Sequence, residues 1–440
     1  MNTNVLGQEE VWKLFIKYSV PAIIGMLVLG LDTIIDGYFV GNYIGANGLA
    51  SINIAMPFNS IILAISIILG IGVQSIIGRA LGQGNYNSAK NAFKTAIIMI
   101  LAICSVTAFA SIIFTKHIAS FLGANAQIME DTITYIKYSS LFLPFIGLML
   151  VLDYVLKAIG KPTYAMLTLV VSIAINILLS YVMIVQLDIG IIGAALASGV
   201  SYCFAVILAI RPFAIGKTNV LSGGSFDRKM AYNILYNGSS EGLGEVGTGI
   251  TTFLFNITLM RYAGELGVAA FTAISYLTYI GTNILLGLSD GVGAIISYNY
   301  GSSQTKRIKE VLVLTALTAT AIGIIIFVAI FSFGSNLICI FLDVSDSEIL
   351  DFAVLGAKIY AFAFLISGLN IIASGFFTAI GSPGKSAIIA INKGVIWIAI
   401  GIVILPQVLG IQGIWLTVPI AELITLIVVI KLFYNQFKDK

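Results

Sequence analysis

Four acidic side chains lie in two closely spaced pairs within long apolar stretches. Asp32 and Asp36 are four residues apart, and Glu241 and Glu245 repeat that spacing in the second half of the chain. Residues four apart share one face of an α-helix, so each pair would present two carboxylates to one neighbour. Two carboxylates this close titrate as a coupled pair. The aspartate pair can therefore take up a proton or a sodium ion and release it when its surroundings change. The glycines around Glu241 and Glu245 allow close packing or local bending, which would open room for a ligand.

Each pair also has a structural alternative. One of Asp32 and Asp36 can sit at the outer interface and only solvate the end of its helix. Glu241 and Glu245 can lie in the inner third of their span, with side chains extending toward the cytoplasm. An ionised group at the centre of a bilayer costs roughly 2.5–3.5 kcal/mol on insertion scales, so a fully central carboxylate needs a partner or a function.

Further polar residues interrupt the apolar stretches singly. Asn176 and Asn370 can ligate a cation or hydrogen-bond a neighbouring helix, and Glu422 can serve a cavity or an internal hydrogen bond. Asp153 lies one turn from Lys157, which predicts a local ion pair between residues i and i+4. Lys393 lies further from a predicted helix end than Lys137 and Lys358, so extension of its side chain toward the interface explains it less well.

The sequence predicts no cofactor. Gly242–Gly247 has the spacing of the dinucleotide fingerprint, but no strand precedes it and it lies inside an apolar helix. The three cysteines are far apart and the chain has one histidine, so neither a disulfide framework nor a zinc site is expected. Basic residues are scattered singly, which argues against nucleic acid as a partner.

The composition places these residues in a membrane protein. Of 440 residues, 59% are hydrophobic and 10% are charged, and the mean hydropathy is +1.03. A soluble domain carries about 25% charged residues, so much of this surface must face lipid. The sequence predicts twelve membrane-spanning helices: 14–40, 49–77, 92–115, 131–157, 162–186, 191–211, 231–260, 267–298, 310–333, 351–380, 385–406 and 411–433.

Lysine and arginine predict the orientation. With both termini in the cytoplasm, most of the 23 basic residues fall in cytoplasmic links or at cytoplasmic helix ends, and only Lys116 and Arg261 fall outside. This bias follows the positive-inside rule. We expect a multi-pass protein of the cell membrane with cytoplasmic N- and C-termini.

The chain contains an internal repeat. Five short motifs recur with an offset of 219 to 221 residues, among them Gly45–Ala50 with Gly264–Ala269, and Phe121-Leu122 with Phe341-Leu342. Six spans per copy give both copies the same orientation in the membrane. The sequence therefore predicts an all-α integral membrane protein of two parallel six-helix repeats. An N-terminal lobe would cover 1–215, a cytoplasmic linker 216–230, and a C-terminal lobe 231–440.

The order and spacing of several motifs resemble the multidrug and toxic compound extrusion (MATE) family, and within it the MepA-like bacterial branch. The resemblance covers essentially the whole chain. The matching motifs are Pro21…Asp36-Gly-Tyr-Phe-Val-Gly41, Gly72-Val…Gly78-Arg-Ala-Leu-Gly-Gln-Gly84, Leu156-Lys-Ala-Ile-Gly160-Lys-Pro162, Asn176-Ile-Leu-Leu, Asn237-Gly-Ser-Ser-Glu241 and Pro419-Ile-Ala-Glu422.

The resemblance implies a secondary active multidrug efflux transporter. Such proteins export organic, often cationic and amphipathic compounds by antiport with protons or sodium ions. The family's first-helix aspartate matches Asp36, to which this chain adds Asp32, and its fifth-helix asparagine matches Asn176. Ser180 stands where some members have a second aspartate, so the coupling ion stays open between H⁺ and Na⁺, with a sodium site at Asp36 and Asn176 as one alternative.

The predicted substrate-binding residues are Glu241, Glu245, Asn370 and Glu422. The expected partners are small organic cations or drugs and the lipid bilayer, and the chain is expected to act as a monomer. A lipid-linked sugar flippase of the same wider superfamily is the alternative transporter, although such proteins usually have more helices and a more basic cavity. A membrane-embedded enzyme would need a His, Cys or carboxylate cluster near an interface, and the single histidine, His117, does not supply one.

Overall fold

In the computed structural model, residues 5–214, 223–341 and 347–438 are described, and all regular secondary structure within them is helical. The chain forms two compact units, Met1–Gly238 with Ser297–Gln304 and Ser239–Ile296 with Thr305–Lys440. Residues 215–222, which contain much of the predicted linker 216–230, lie outside the described part, as does Leu342 of one repeat motif. The lobe and linker boundaries remain predictions.

The helices of the first unit follow one another with short connections. Two of them are extended by π-helical turns, Val40–Ile44 after α2 and Tyr181–Gln186 after α7. A π-turn admits one extra residue into the helix and often occurs at functional sites. The helices are α1 (Val5–Gln8), α2 (Val11–Phe39), α3 (Ala46–Gly82), α4 (Tyr86–Phe121), α5 (Met129–Ser140), α6 (Leu143–Ala158), α7 (Pro162–Ser180) and α8 (Gly190–Ala214).

The second unit contains most of a very long helix, followed by six shorter ones. A third π-helical segment, Asn392–Ile396, connects two of the shorter helices. The helices are α9 (Arg228–Gly301), α10 (Thr305–Ile338), α11 (Ser347–Ala361), α12 (Phe364–Ala379), α13 (Pro383–Ile391), α14 (Trp397–Leu409) and α15 (Ile411–Lys438).

The twelve predicted membrane spans are confirmed within the described residues. Nine helices are long and apolar enough to cross a bilayer, and two further spans are bent pairs, α5 with α6 at 52° and α11 with α12 at 48°. One of the nine, α9, has 74 residues and would be about 110 Å long if straight, against roughly 30 Å of hydrocarbon. It is broken at Gly264, where φ is 62° and ψ is −151°. The break lies between predicted spans 231–260 and 267–298, so α9 supplies both.

The internal repeat is visible in the backbone as well as in the sequence. Three pairs of glycines with positive φ are separated by 219 to 221 residues, the offset of the sequence repeat: Gly45 with Gly264, Gly160 with Gly381, and Gly190 with Gly410. The non-helical residues Phe114 in α4 and Phe333 in α10 are related in the same way. Equivalent breaks at equivalent places show that the two copies share one helical plan. The π-helical segments do not follow the repeat.

Packing within the first unit brings three polar helix faces together. Helix α2 packs against α7, and α7 packs against α8. Gly25 of α2 faces Leu169 of α7, where an added Cβ would come within 3.3 Å of the leucine Cδ1. Small residues at helix contacts permit close approach in membrane proteins, because packing rather than hydrophobicity drives the association. The close approach allows short polar side chains on these helices to reach one another.

The break at Gly264 gives a prediction about stability. Its backbone lies in a region that is essentially restricted to glycine, so Gly264→Ala should lower the free energy of unfolding by about 1–3 kcal/mol. No atom lies within 4 Å of an added Cβ at Gly264, so the loss would come from the backbone conformation. Gly249→Ala is the matched control, because Gly249 is helical and equally open. Chemical unfolding in detergent micelles measures both, and an unchanged Gly264→Ala protein would contradict the assigned break.

Candidate functional site

Three helices of the first unit each contribute a polar pair with a spacing of four residues. Helix α2 carries Asp32 and Asp36, α7 carries Asn176 and Ser180, and α8 carries Ser198 and Tyr202. Each pair lies on one helix face because residues i and i+4 are one turn apart. The packing of α2 on α7 and of α7 on α8 turns these faces toward a common point.

Asp36 is the centre of this arrangement. Asn176 donates its Nδ2 to Asp36 Oδ1 at 3.2 Å, and the hydroxyl of Ser198 donates to Asp36 Oδ2 at 2.9 Å. Asn176 Nδ2 also donates to Ser198 Oγ at 3.0 Å, which links the two donors. Hydrogen bonds to an ionised acceptor are about twice as strong as neutral ones, so these contacts stabilise a charged carboxylate. Asp36 as a whole residue is half-buried.

Asp32 occupies a separate position one turn away. The hydroxyl of Tyr202 donates to Asp32 Oδ2 at 3.2 Å. Tyr135 hydrogen-bonds Asn59 and interacts electrostatically with both aspartates. The two carboxylates therefore differ in environment: Asp36 contacts an amide and a serine, whereas Asp32 contacts a phenol.

Two buried oxygen atoms on one face of α7 lack hydrogen-bond partners among the described residues. They are Asn176 Oδ1 and Ser180 Oγ, and neither residue is more than 1% exposed. A buried polar oxygen without a partner is unfavourable, and such groups in native proteins call for an explanation such as a bound ion. Carboxylate, amide and hydroxyl oxygens are hard ligands, which suit hard cations. The residues present fit an alkali cation.

Ser198 and Tyr202 were not identified from the sequence. Serine and tyrosine are common in membrane helices, so neither residue type stands out alone. Their spacing matches that of Asp32 and Asp36, and this correspondence was a signal available in the sequence. The sequence does not show that α2 and α8 both pack against α7. This packing brings Ser198 and Tyr202 to the two aspartates.

Glu241 and Glu245 have different surroundings in the second unit. The hydroxyl of Thr378 lies 3.2 Å from Glu241 Oε1 and also contacts Ser240 at 3.1 Å and Ser386 at 3.0 Å. Glu245 is exposed. Glu241 thus ends a chain of hydroxyl groups inside the unit, and the two glutamates do not share one environment despite their common helix face.

The other two predicted residues of this unit are in direct contact. Asn370 Nδ2 donates to Glu422 Oε2 at 2.6 Å and to the Glu422 carbonyl at 2.9 Å. Lys393 Nζ lies 3.2 Å from Glu422 Oε1, which gives Lys393 the partner that the sequence did not supply. The local pair predicted between Asp153 and Lys157 is confirmed, with 2.6 Å between the charged groups.

The hydrogen bond from Ser198 to Asp36 can be tested by a double-mutant cycle. Asp36→Asn and Ser198→Ala should show a coupling of about 1–3 kcal/mol in the free energy of unfolding, because each removes one side of a bond to a charged acceptor. Ser201→Ala is the control, since Ser201 donates only to the Ser198 carbonyl. Chemical denaturation in micelles measures the cycle. A coupling near zero for both serines would contradict the geometry.

Comparison with known proteins supports the resemblance seen in the sequence. The family model MatE matches residues 21–182 and 247–403. The chain is 26% identical to "Multidrug export protein MepA" of Staphylococcus aureus (strain MRSA252) over 419 residues, which covers 94% of this chain and 92% of that protein. The match to the family model extends over most of the chain, so the family prediction is confirmed.

Solved structures show the same fold. One is described as the "outward-facing conformation of a multidrug resistance MATE family transporter of the MOP superfamily", with a TM-score of 0.91 at 23% identity, covering 100% of this chain and 99% of the other. Another, from Pyrococcus furiosus, is described by the "reverse polarity of binding pocket", with a TM-score of 0.89 at 22% identity and coverage of 98% and 96%. Members of the family are transporters rather than enzymes, and they use an ion gradient without a cofactor. The chain is therefore a multi-pass membrane transporter of the multidrug and toxic compound extrusion (MatE) family.

Proposed function

We propose that this protein is a secondary active multidrug efflux transporter that exports organic cations by antiport with a monovalent coupling ion. The observation that carries the proposal is the half-buried carboxylate of Asp36, held by Asn176 and Ser198 inside an apolar helical unit. The similarity to a multidrug export protein over 94% of the chain supports the substrate class.

The mechanism follows from competition for one negative charge. A carboxylate in an apolar bundle needs a countercharge, because an unpaired ion in a low-dielectric interior is strongly unfavourable. A coupling ion and a cationic substrate both satisfy Asp36, so each promotes release of the other. The amide of Asn176 and the hydroxyl of Ser198 hold the carboxylate in place while the counterion changes. Asp32, fixed by Tyr202, adds a second negative charge that attracts cations to the same region.

The donor set favours sodium as the coupling ion. Asn176 Oδ1 and Ser180 Oγ are buried oxygens without hydrogen-bond partners among the described residues, and Asn176 is bonded to Asp36 through the same amide group. A proton would need only a carboxylate, whereas a sodium ion uses several oxygen ligands. We therefore infer that Asp36, Asn176 and Ser180 bind sodium, with proton coupling as the alternative.

The second unit contributes groups for the organic substrate. The substrate-binding residues that we propose in this unit are Glu241, Glu245, Asn370 and Glu422. Of these, Glu245 is exposed and Glu241 is half-buried on the same helix face. We propose that the protein lies in the cell membrane with both termini in the cytoplasm. The excess of lysine and arginine in the links on that side supports this orientation. The transporter is proposed to act as a monomer.

A lipid-linked sugar flippase is the other transport function considered. Proteins of one fold can differ in function, so the polarity of the site decides between them. In this chain the first unit places Asp32 and Asp36 among neutral hydrogen-bond donors, which favours a cationic substrate over an anionic lipid diphosphate. Transport of a fluorescent lipid diphosphate in place of dye would contradict the proposal.

Replacement of Asp36 tests the proposed function. Asp36→Asn removes the charge that both cations require, so ion-driven ethidium efflux from proteoliposomes should fall at least about tenfold, as expected for loss of one essential charge-assisted contact. Asp188→Asn is the matched control, because Asp188 is an exposed aspartate of the same unit in a conformation that asparagine also adopts. Efflux at the parental rate in Asp36→Asn would refute the assignment.

Replacement of Ser180 tests the identity of the coupling ion. Ser180→Ala removes one proposed sodium ligand without breaking a hydrogen bond, so the sodium concentration for half-maximal efflux should rise about tenfold, as for the loss of roughly 1.4 kcal/mol. Efflux is measured with a sodium gradient alone and with a proton gradient alone. Efflux that runs on the proton gradient and is unaffected by Ser180→Ala would show proton coupling instead.

A further inference from the structure

Lys393 lies in a π-helical turn of the second unit. The π-helical segment Asn392–Ile396 interrupts the helix between α13 and α14, and Thr251 donates its hydroxyl to the Gly394 carbonyl at 3.2 Å. Trp397 Nε1 donates to Asn392 Oδ1 at 2.8 Å. These contacts fix the turn in place, and π-turns often occur at functional sites.

The position of Lys393 in this turn brings its ammonium group to Glu422. The two groups are 3.2 Å apart and lie on different segments, the π-helical turn and α15. Glu422 is buried, with a side-chain exposure of 4%, whereas Lys393 is 29% exposed. Lys393 is thus the accessible member of the pair, and its charge covers a carboxylate that is otherwise enclosed.

Asn370 supplies a second observation at the same carboxylate. Its Nδ2 donates to Glu422 Oε2, and its own Oδ1 has no hydrogen-bond partner among the described residues. Asn370 is fully buried. The amide group of Asn370 that binds the Glu422 carboxylate therefore also carries this oxygen atom without a partner. An orphaned buried oxygen beside a carboxylate can be satisfied by a cation that contacts both groups.

The first unit offers a contrasting lysine pair. Lys157 and Asp153 are one turn apart on α6, 2.6 Å between charged atoms, and their side chains are 5% and 6% exposed. Both charges are enclosed, and the common helix keeps them together in any arrangement of neighbouring helices. The pair in the second unit lacks both features, since Lys393 is accessible and the two residues lie on different segments.

We propose that Glu422 and Asn370 form a second cation site and that Lys393 is its resident, tethered cation, which a monovalent organic cation displaces. This inference rests on the proposed function in one respect, namely that the ligand is an organic cation. In the empty transporter Lys393 neutralises Glu422. When an organic cation arrives, it takes the place of the ammonium on Glu422, and Lys393 moves to the exposed side. Lys393 then sets the affinity of the site, because every ligand must compete with it.

Binding of tetraphenylphosphonium to the purified full-length protein tests the proposal. Lys393→Met keeps the length of the side chain and removes the competitor, so tetraphenylphosphonium should bind about tenfold more tightly, the low end of measured couplings for close charge pairs. Glu422→Gln should weaken binding several-fold, because it leaves Lys393 as an unpaired positive charge. The double variant Lys393→Met with Glu422→Gln should lose the gain, and Lys393→Arg should bind as the parental protein does.

Lys157→Met is the matched control, and it should not bind tetraphenylphosphonium more tightly, because its pair is enclosed on one helix. A merely structural role for Lys393 predicts a lower melting temperature that the ligand does not restore, with equal or weaker binding. That result would overturn the inference. If Asp36→Asn abolishes binding but Lys393→Met brings no gain, only the second site fails. If neither the parental protein nor Lys393→Met binds, both proposals fail.

Discussion

The need to partner buried charge within an apolar bundle governs the polar chemistry of this transporter. An isolated carboxylate in such an environment is strongly unfavourable, so each one must receive hydrogen bonds or a countercharge. Asp36 receives hydrogen bonds from Asn176 on α7 and Ser198 on α8. Glu422 receives an ammonium group and an amide. A charge that can exchange partners is also a charge that can couple two transported cations.

The two units satisfy their carboxylates in different ways although they share one helical plan. In the first unit the donors to Asp36 are neutral, so the carboxylate keeps its net charge for an external cation. In the second unit Lys393 neutralises Glu422 internally. The repeat therefore fixes where helices bend and end, whereas substitutions within each copy decide the electrostatics. We propose that this divergence lets one copy bind an ion directly and the other respond to competition.

Glycine and π-helical turns shape the elements that carry these groups. Gly264 adopts a conformation that other residues reach only with strain, and it divides a 74-residue helix into two spans. Gly45, at the equivalent place in the first copy, also has a positive φ, and it separates the segment Val40–Ile44 from α3. The π-turn at Asn392–Ile396 has no counterpart at the repeat-related position of the first unit, and it carries Lys393.

The sequence by itself determined the membrane class, the twelve spans and the repeat, because hydropathy and glycine positions are local properties of the chain. Its motifs also led to the proposal that Asp36 and Asn176 bind the coupling ion. Tertiary structure alone decided which polar groups meet. Ser198 is a partner of Asp36 only through the packing of α2, α7 and α8, and Lys393 meets Glu422 through the packing of its segment against α15. The physical reason is that a spacing of four residues specifies a helix face, whereas the neighbour of that face depends on contacts between distant parts of the chain.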